Sequence, residues 1–223
     1  MIVRNKGGEY RADSSPALLD FLGVKKEAAG IVAVAGDVEL IASVPFTLAA
    51  GSEAADGIAW TLSTFDLDRY EERIDPAGWD FKRYMDNPVV EWAHNYLIPA
   101  IGKMDGLLVD DEGLHGLVRF NGKEYDPFGW AIGERVKAGV IRGGSVGFRI
   151  IEIEIPDKET AKDGTALIFR KQELLEFSIC NVPANPWALA KPLALAKSIE
   201  TEKTRDSGFP SFWGNLINDL QGV

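Results

Sequence analysis

Residues 138–155 read AGVIRGGSVGFRIIEIEI. From Ser145 onward apolar residues alternate with small or polar ones, and β-branched side chains dominate, so the run reads as a strand. Immediately upstream, DPFGWAIGERVKAGV at 126–140 has apolar residues at 128, 132, 136 and 140, the spacing of one helix face. A helix therefore precedes Ser145 and a strand follows it. GGSVG satisfies Gly-x-Ser-x-Gly literally, yet the nucleophile elbow of an α/β-hydrolase joins a strand to a following helix. The reversed order excludes that fold. Two readings of the serine stay open. Its glycines could mark a strand irregularity with a bystander hydroxyl, or they could let a substrate backbone approach and turn amide hydrogens toward it.

Outward from this stretch the chain is mostly β. IVAVAGDVELIASVPFTLAAG at 31–51 alternates as a strand pair would, and IAWTLSTFDLDRY at 58–70 reads as a strand running into a polar loop. PVVEWAH (88–94), IGKMDGLLVDD (101–111) and GLHGLVRF (113–120) are apolar segments separated by turn residues, the last two joined by a hairpin. ALIFRKQELLEFSICNV (166–182) supplies a further strand. Short helices are expected near Ser15, with Pro16 in the first turn, and over DPAGWDFKRYMDN (75–87), with Asp75 as N-cap and Asn87-Pro88 as the stop. The expected class is α+β, mainly β: a closed or nearly closed, antiparallel-rich barrel with a few surrounding helices, because closure removes sheet edges. Residues 1–30 read as an N-terminal arm, 31–195 as the main domain, and 196–223 as a charged linker with an amphipathic tail peptide.

The totals bound the function. The 223 residues are 46% hydrophobic and 26% charged, ordinary for a globular chain with one sizeable core. The single cysteine, Cys180, excludes an intramolecular disulfide and a Cys-rich zinc site, which fits a reducing compartment. A formal charge of -10 opposes unspecific binding to nucleic acid or anionic membrane. The opening MIVRNKGGEYRADSS has no apolar core of signal-peptide length and no apolar run reaches membrane-spanning length, so the expectation is a cytosolic chain with neither membrane nor nucleic acid as partner. No cluster has the ligand types and spacing of a metal or nucleotide site, so no cofactor is expected.

Chemistry then falls on few residues. Of the two histidines, His94 ends a strand at the rim of a sheet, whereas His115 sits near a hairpin turn and is expected to face solvent. Glu176 interrupts an apolar strand. It faces water with Ser178 and Cys180, or it is buried and needs a partner such as an imidazole.

Taken together, NPVVEWAHN, then GGSVGF, then LLEFSICNVPANPWA resemble, in that order, the prohead proteases of tailed bacteriophages, which are related in fold to herpesvirus assemblin. The likeness spans roughly residues 58–190. It implies an assemblin-like barrel and a serine endopeptidase of capsid maturation, with His94 as general base and Ser145 as nucleophile. The herpesvirus relatives place a second histidine where Glu176 stands, so the resemblance implies that this chain would run a Ser-His-Glu triad, which the chemistry permits. The resemblance also points to the backbone amides of Ala184 and Asn185, in VPANP, as oxyanion donors; Pro183 has no N–H to give. It implies scaffold and major capsid protein as substrates, action within the immature capsid in the host cytoplasm, and a homo-oligomer, in the simplest case a dimer. The linker at 198–207 reads as an accessible self-cleavage region. Two other classes remain beside it: a catalytically silent capsid-assembly factor, and an unrelated esterase.

Overall fold

The computed structural model describes residues 2–5, 8–11, 14–24, 30–34, 38–45, 53–54, 57–157, 161 and 163–181. Ala184, Asn185 and the linker and tail of 196–223 lie outside the described residues.

The chain opens with β1 (Ile2–Asn5) and β2 (Gly8–Arg11), an antiparallel pair. Helix α1 (Ser15–Phe21) follows, capped by the Ser14 hydroxyl and started by Pro16, and its Leu18 and Leu19 enter the common core. Two strands form within the expected pair of 31–51, β3 (Gly30–Ala33) and β4 (Glu39–Pro45), but they do not pair with each other: both lie antiparallel along successive stretches of one later strand, residues 143–155. After β5 (Glu53–Ala54) comes β6 (Gly57–Ser63), buried along its whole length. The rest of the sheet is β7 (Glu72–Ile74), β8 (Trp79–Asp80), β9 (Val89–Trp92), β10 (Gly102–Asp110), β11 (Gly113–Phe120), β12 (Gly143–Ile155) and β13 (Leu167–Cys180). Helix α2 (Pro127–Lys137) stands between β11 and β12, its N-terminus capped by the Asp126 carboxylate, which accepts from Gly129 N at 2.9 Å.

These strands make one sheet in the order β2-β1-β4-β12-β13-β9-β10-β11-β6-β5, with β3 beside β12 and with β7 and β8 beside β13. Most pairs are antiparallel, but β13 runs parallel to β7, β8 and β9. The expected closure does not occur: among the described residues the path ends at β2 on one side and β5 on the other, so the barrel is open. Bulges in the β10–β11, β11–β6 and β12–β13 ladders bend the sheet. The curl is completed by side chains instead of hydrogen bonds. Trp60 of β6 meets Phe177 of β13 edge to face at 5.4 Å, although three strands separate them in the sheet. Short edge strands leave little ladder for closure to complete.

Long alternation fixes which face of β12 is buried. Val146, Phe148 and Ile150 point into the core, and Ser145, Gly147 and Arg149 occupy the opposite face. On β13 the core takes Phe169, Leu174, Phe177 and Ile179.

Three further sequence expectations are corrected. The helix over 75–87 is instead two single 3₁₀ turns, Pro76–Gly78 and Tyr84–Asp86, with the extended β8 between them. Asp75 caps the first turn as expected, but Gly78 lies against the backbone of β13, where a Cβ would sit 2.7 Å from Arg170 C. Trp79 and Asp80 must stay extended to pair with Gln172 and Glu173. The α2 stripe also ends early: Ile132 and Val136 are buried, whereas Val140 lies beyond the helix and is 73% exposed. Gly139, at φ +70°, has already turned the chain away.

The third correction concerns His115, which is fully buried. Its Nε2–H donates to Asp110 Oδ1 at 2.9 Å, and its Nδ1 accepts from Thr61 Oγ1 at 3.0 Å. A neutral ring is thereby satisfied on both sides and ties β6 to the β10–β11 hairpin. Burial holds this imidazole below its ordinary range, with Asp110 pulling the other way. The unfolded chain then binds the proton more readily, so stability falls as pH drops below the ordinary histidine value of about 6.5. The acid-side loss of Tm between pH 7.5 and 5.5 is expected to be smaller in His115→Asn than in the parent, measured by thermal scans across that range.

Candidate active site

Strand β9 ends at Trp92, and the next two residues leave the strand in left-handed conformation, Ala93 at φ 53° and His94 at φ 57°. Neither is glycine, and each such residue costs about 1–2 kcal/mol. Backbone bonds hold the turn: Ala93 N–H donates to Ile179 O at 2.9 Å, and Asn95 N–H to Trp92 O at 3.0 Å. His94 N–H donates to the Ser178 hydroxyl at 3.0 Å. The turn throws the imidazole back across β13 onto β12.

There it meets both other candidates. His94 Nε2 lies 2.5 Å from Ser145 Oγ, and His94 Nδ1 is paired with Glu176 Oε1. The second carboxylate oxygen, Glu176 Oε2, accepts from Ser178 Oγ at 2.7 Å. With Nδ1–H donating to the carboxylate, Nε2 is left as the acceptor for the serine proton. Side-chain exposure is 9% for His94 and 5% for Glu176, and Ser145 is fully buried. The pairs therefore sit in a dry, low-dielectric setting where hydrogen bonds are electrostatically strong. Ser145, His94 and Glu176, far apart in sequence, are thus brought together in one line.

The glycines of GGSVG take on a different meaning from substrate clearance. A Cβ on Gly147 would lie 2.8 Å from Glu176 Cγ, and one on Gly144 would lie 2.6 Å from Phe177 Cζ. They make room for the neighbouring strand: Gly147 lets the carboxylate lie flat beside Ser145, and Gly144 lets the core ring pack beneath.

Three further side chains, Ser178, Glu91 and Tyr84, belong to this neighbourhood and were given no role from the sequence. Ser178 shares the Glu176 face of β13 by simple alternation, a signal that was present. Glu91 stands opposite Ser178 in the parallel β9–β13 ladder. Its Oε2 is buried without a hydrogen-bond partner among the described residues. Burial, then the charge of Glu176, raise its carboxyl above the usual range, and His94 opposes the shift. Burial first, then the charges of Glu176 and Glu91, drive the Tyr84 phenol far upward; it stays protonated and donates to Val89 O at 2.8 Å. Along β12, Arg149 lies on the Ser145 face about 13 Å further on, at a strand rise of about 3.3 Å per residue. It lines a pocket of about 490 Å³ with Tyr84, Val89, Glu173 and Leu175. Among the described residues no group of histidine, cysteine or carboxylate side chains could hold a metal ion. No helix among them is long and apolar enough to cross a membrane.

The family model of the caudovirus prohead serine protease matches residues 58–205, well over half of the chain. The chain belongs to that family. It is a serine protease of capsid maturation. Among solved structures, the protease is similar to the bacteriophage T4 capsid assembly protease, gp21, at 14% identity and a TM-score of 0.37, over 69% of this chain and 98% of that one. No individual curated sequence matches it.

Gly147→Ala should push Glu176 off Nδ1 of His94 and slow modification of Ser145 by a fluorophosphonate about 100-fold, since misplacement by about 1 Å has that scale of effect. Gly144→Ala should instead lower stability by about 1–3 kcal/mol through overpacking against Phe177. Denaturation midpoints and labelling rates of the two variants, taken side by side, check this separation.

Proposed function

We propose that this protease is the endopeptidase that cleaves scaffold or the delta region of the coat protein inside the prohead, with Ser145, His94 and Glu176 as its catalytic triad. The observation that carries the reading is His94 bonded on both ring nitrogens, to Glu176 at Nδ1 and to Ser145 at Nε2. Ser145 Oγ attacks the scissile carbonyl while His94 Nε2 takes its proton; His94 later gives that proton to the leaving amine. Glu176 fixes the tautomer and stabilises the imidazolium as it forms. The backbone amides of Ala184 and Asn185 are the proposed oxyanion donors, worth about 2.7–4 kcal/mol each by comparison with measured losses at such sites. The pocket at Arg149 lies on the Ser145 face of β12 and gives an extended substrate chain somewhere to run.

Full burial of Ser145 supports a resting form that substrate does not yet reach. The isolated chain is accordingly read as weakly active, with concentration inside the prohead, in the host cytoplasm, as the activating condition. A homo-oligomer, in the simplest case a dimer, belongs to the same reading.

Ser145→Ala should abolish cleavage of scaffold and coat protein with the fold intact. By the scale of triad deletions elsewhere, His94→Ala should lose about 10⁶ in kcat and Glu176→Gln about 10⁴. Cleavage by Ser145→Ala at the parent rate would exclude the serine as nucleophile. A folded parent whose Ser145 resists every serine-directed probe, in free chain and in proheads alike, would indicate a silent assembly factor. Ester hydrolysis without capsid-protein cleavage would indicate an esterase.

If the linker at 198–207 is cut by the protease itself, intact mass spectrometry of the chain from mature particles should show loss of the tail. Particles carrying Ser145→Ala should retain it. An uncut tail in both removes self-cleavage from the reading.

A further inference from the structure

We propose that Ser178 is a positioning residue of this site, holding the base and the acid in register with each other; the proposal rests on the triad reading above. The Ser178 hydroxyl is fully buried and has two partners whose roles are fixed by chemistry. The backbone N–H of His94 can only donate to it, at 3.0 Å, and the carboxylate of Glu176 accepts from it, at 2.7 Å. The hydroxyl proton is therefore committed to Glu176 Oε2, and the oxygen lone pair to His94 N.

These two bonds close a loop through the site. From His94 N the loop passes through Ser178 Oγ to Glu176 Oε2, crosses the carboxylate to Oε1, and returns to His94 at Nδ1. Both ends of the histidine, its backbone and its ring, are thus referred to one carboxylate. The carboxylate is held at each oxygen and cannot rotate about its terminal torsion without breaking a bond. The loop also supplies one of the bonds that sustain the left-handed His94 backbone, on which the direction of the imidazole depends. Loss of the hydroxyl would leave a backbone N–H without its partner and a carboxylate with one oxygen unheld. Both effects act on the position of Nε2 relative to Ser145, and neither touches the substrate.

The alternative is that a serine stands at 178 only because a small side chain fits a buried strand. Ser178→Ala keeps the size and removes the bonds, whereas Ser178→Thr restores the hydroxyl. In the full-length chain, Ser178→Ala is expected to retain the parent circular dichroism but to label with a fluorophosphonate up to about 100-fold more slowly. The low-field proton resonance of the Nδ1–H to carboxylate bond should broaden or vanish in it, and Ser178→Thr should recover both signals. Parent labelling rate with the resonance intact in Ser178→Ala, whatever its Tm, would overturn the proposal. Should Ser178→Ala fail to fold, Ser178→Cys, with a weak donor of similar size, carries the same comparison with the same two outcomes. Labelling of the parent that survives Ser145→Ala would overturn the triad itself, and the proposal with it.

Discussion

The geometry of this protein's candidate site depends on a short piece of unfavourable backbone. Ala93 and His94 both stand in the left-handed region that side chains disfavour, and a regular strand would have carried His94 forward along β9, away from Ser145. Three hydrogen bonds hold the turn, from Ala93 N to Ile179 O, from His94 N to Ser178 Oγ, and from Asn95 N to Trp92 O. Two of the acceptors lie on β13, the strand that also carries Glu176. The parallel register that sets Glu91 against Ser178 and Trp92 against Ile179 is therefore what brings the turn to its acceptors. Strain at such a place persists only because the surroundings over-determine it.

Given that turn, the remaining requirement is closeness between strands. A hydroxyl, an imidazole and a carboxylate must lie almost in one plane above a pleated sheet whose neighbouring strands are about 4.8 Å apart. Side chains normally stand up from such a surface and hold one another off. Gly147 removes that obstacle where it matters, and Gly144 does the same on the opposite face, where Phe177 closes against Trp60. The two glycines serve the site above and the core below, which explains a motif that resembles a nucleophile elbow while having none of its architecture.

Much of this was legible from the residues, for definite reasons. Alternation from Ser145 to Ile150 of β12 and from Glu176 to Cys180 of β13 is enough to assign faces at the site, and helix α2 announces itself through the Ile132 and Val136 spacing. The order of His94, Ser145 and Glu176 was readable, but their meeting depends on a parallel pairing that no local pattern encodes. The same limit hid the role of Ser178: its face follows from period two, while one of its partners is a backbone amide 84 residues away. Residues 75–87 carry good helix-start chemistry at Asp75 and Pro76, yet β13 takes Trp79 and Asp80 as strand and leaves only a 3₁₀ turn on each side. His115 looked exposed because it neighbours a hairpin, and only the β6 strand laid beside that hairpin buries it. Barrel closure was inferred from the cost of open edges, but short terminal strands and a Trp60–Phe177 contact meet that cost without hydrogen bonds.

The parallel pairing has a consequence in time as well as in space. His94 is 51 residues from Ser145 and 82 from Glu176 along the chain, and no hairpin can join parallel strands directly. Local hairpins such as β10–β11 need only short loops to close, whereas the β9–β13 contact must wait for a long one, and long-range contacts of this kind form slowly. Strand β13 ends at Cys180, so a ribosome must have released nearly all of the described chain before the last participant is present. A nascent or half-folded molecule holds a serine, a histidine and a glutamate that have not met, and under the proposed triad it has nothing to cut with.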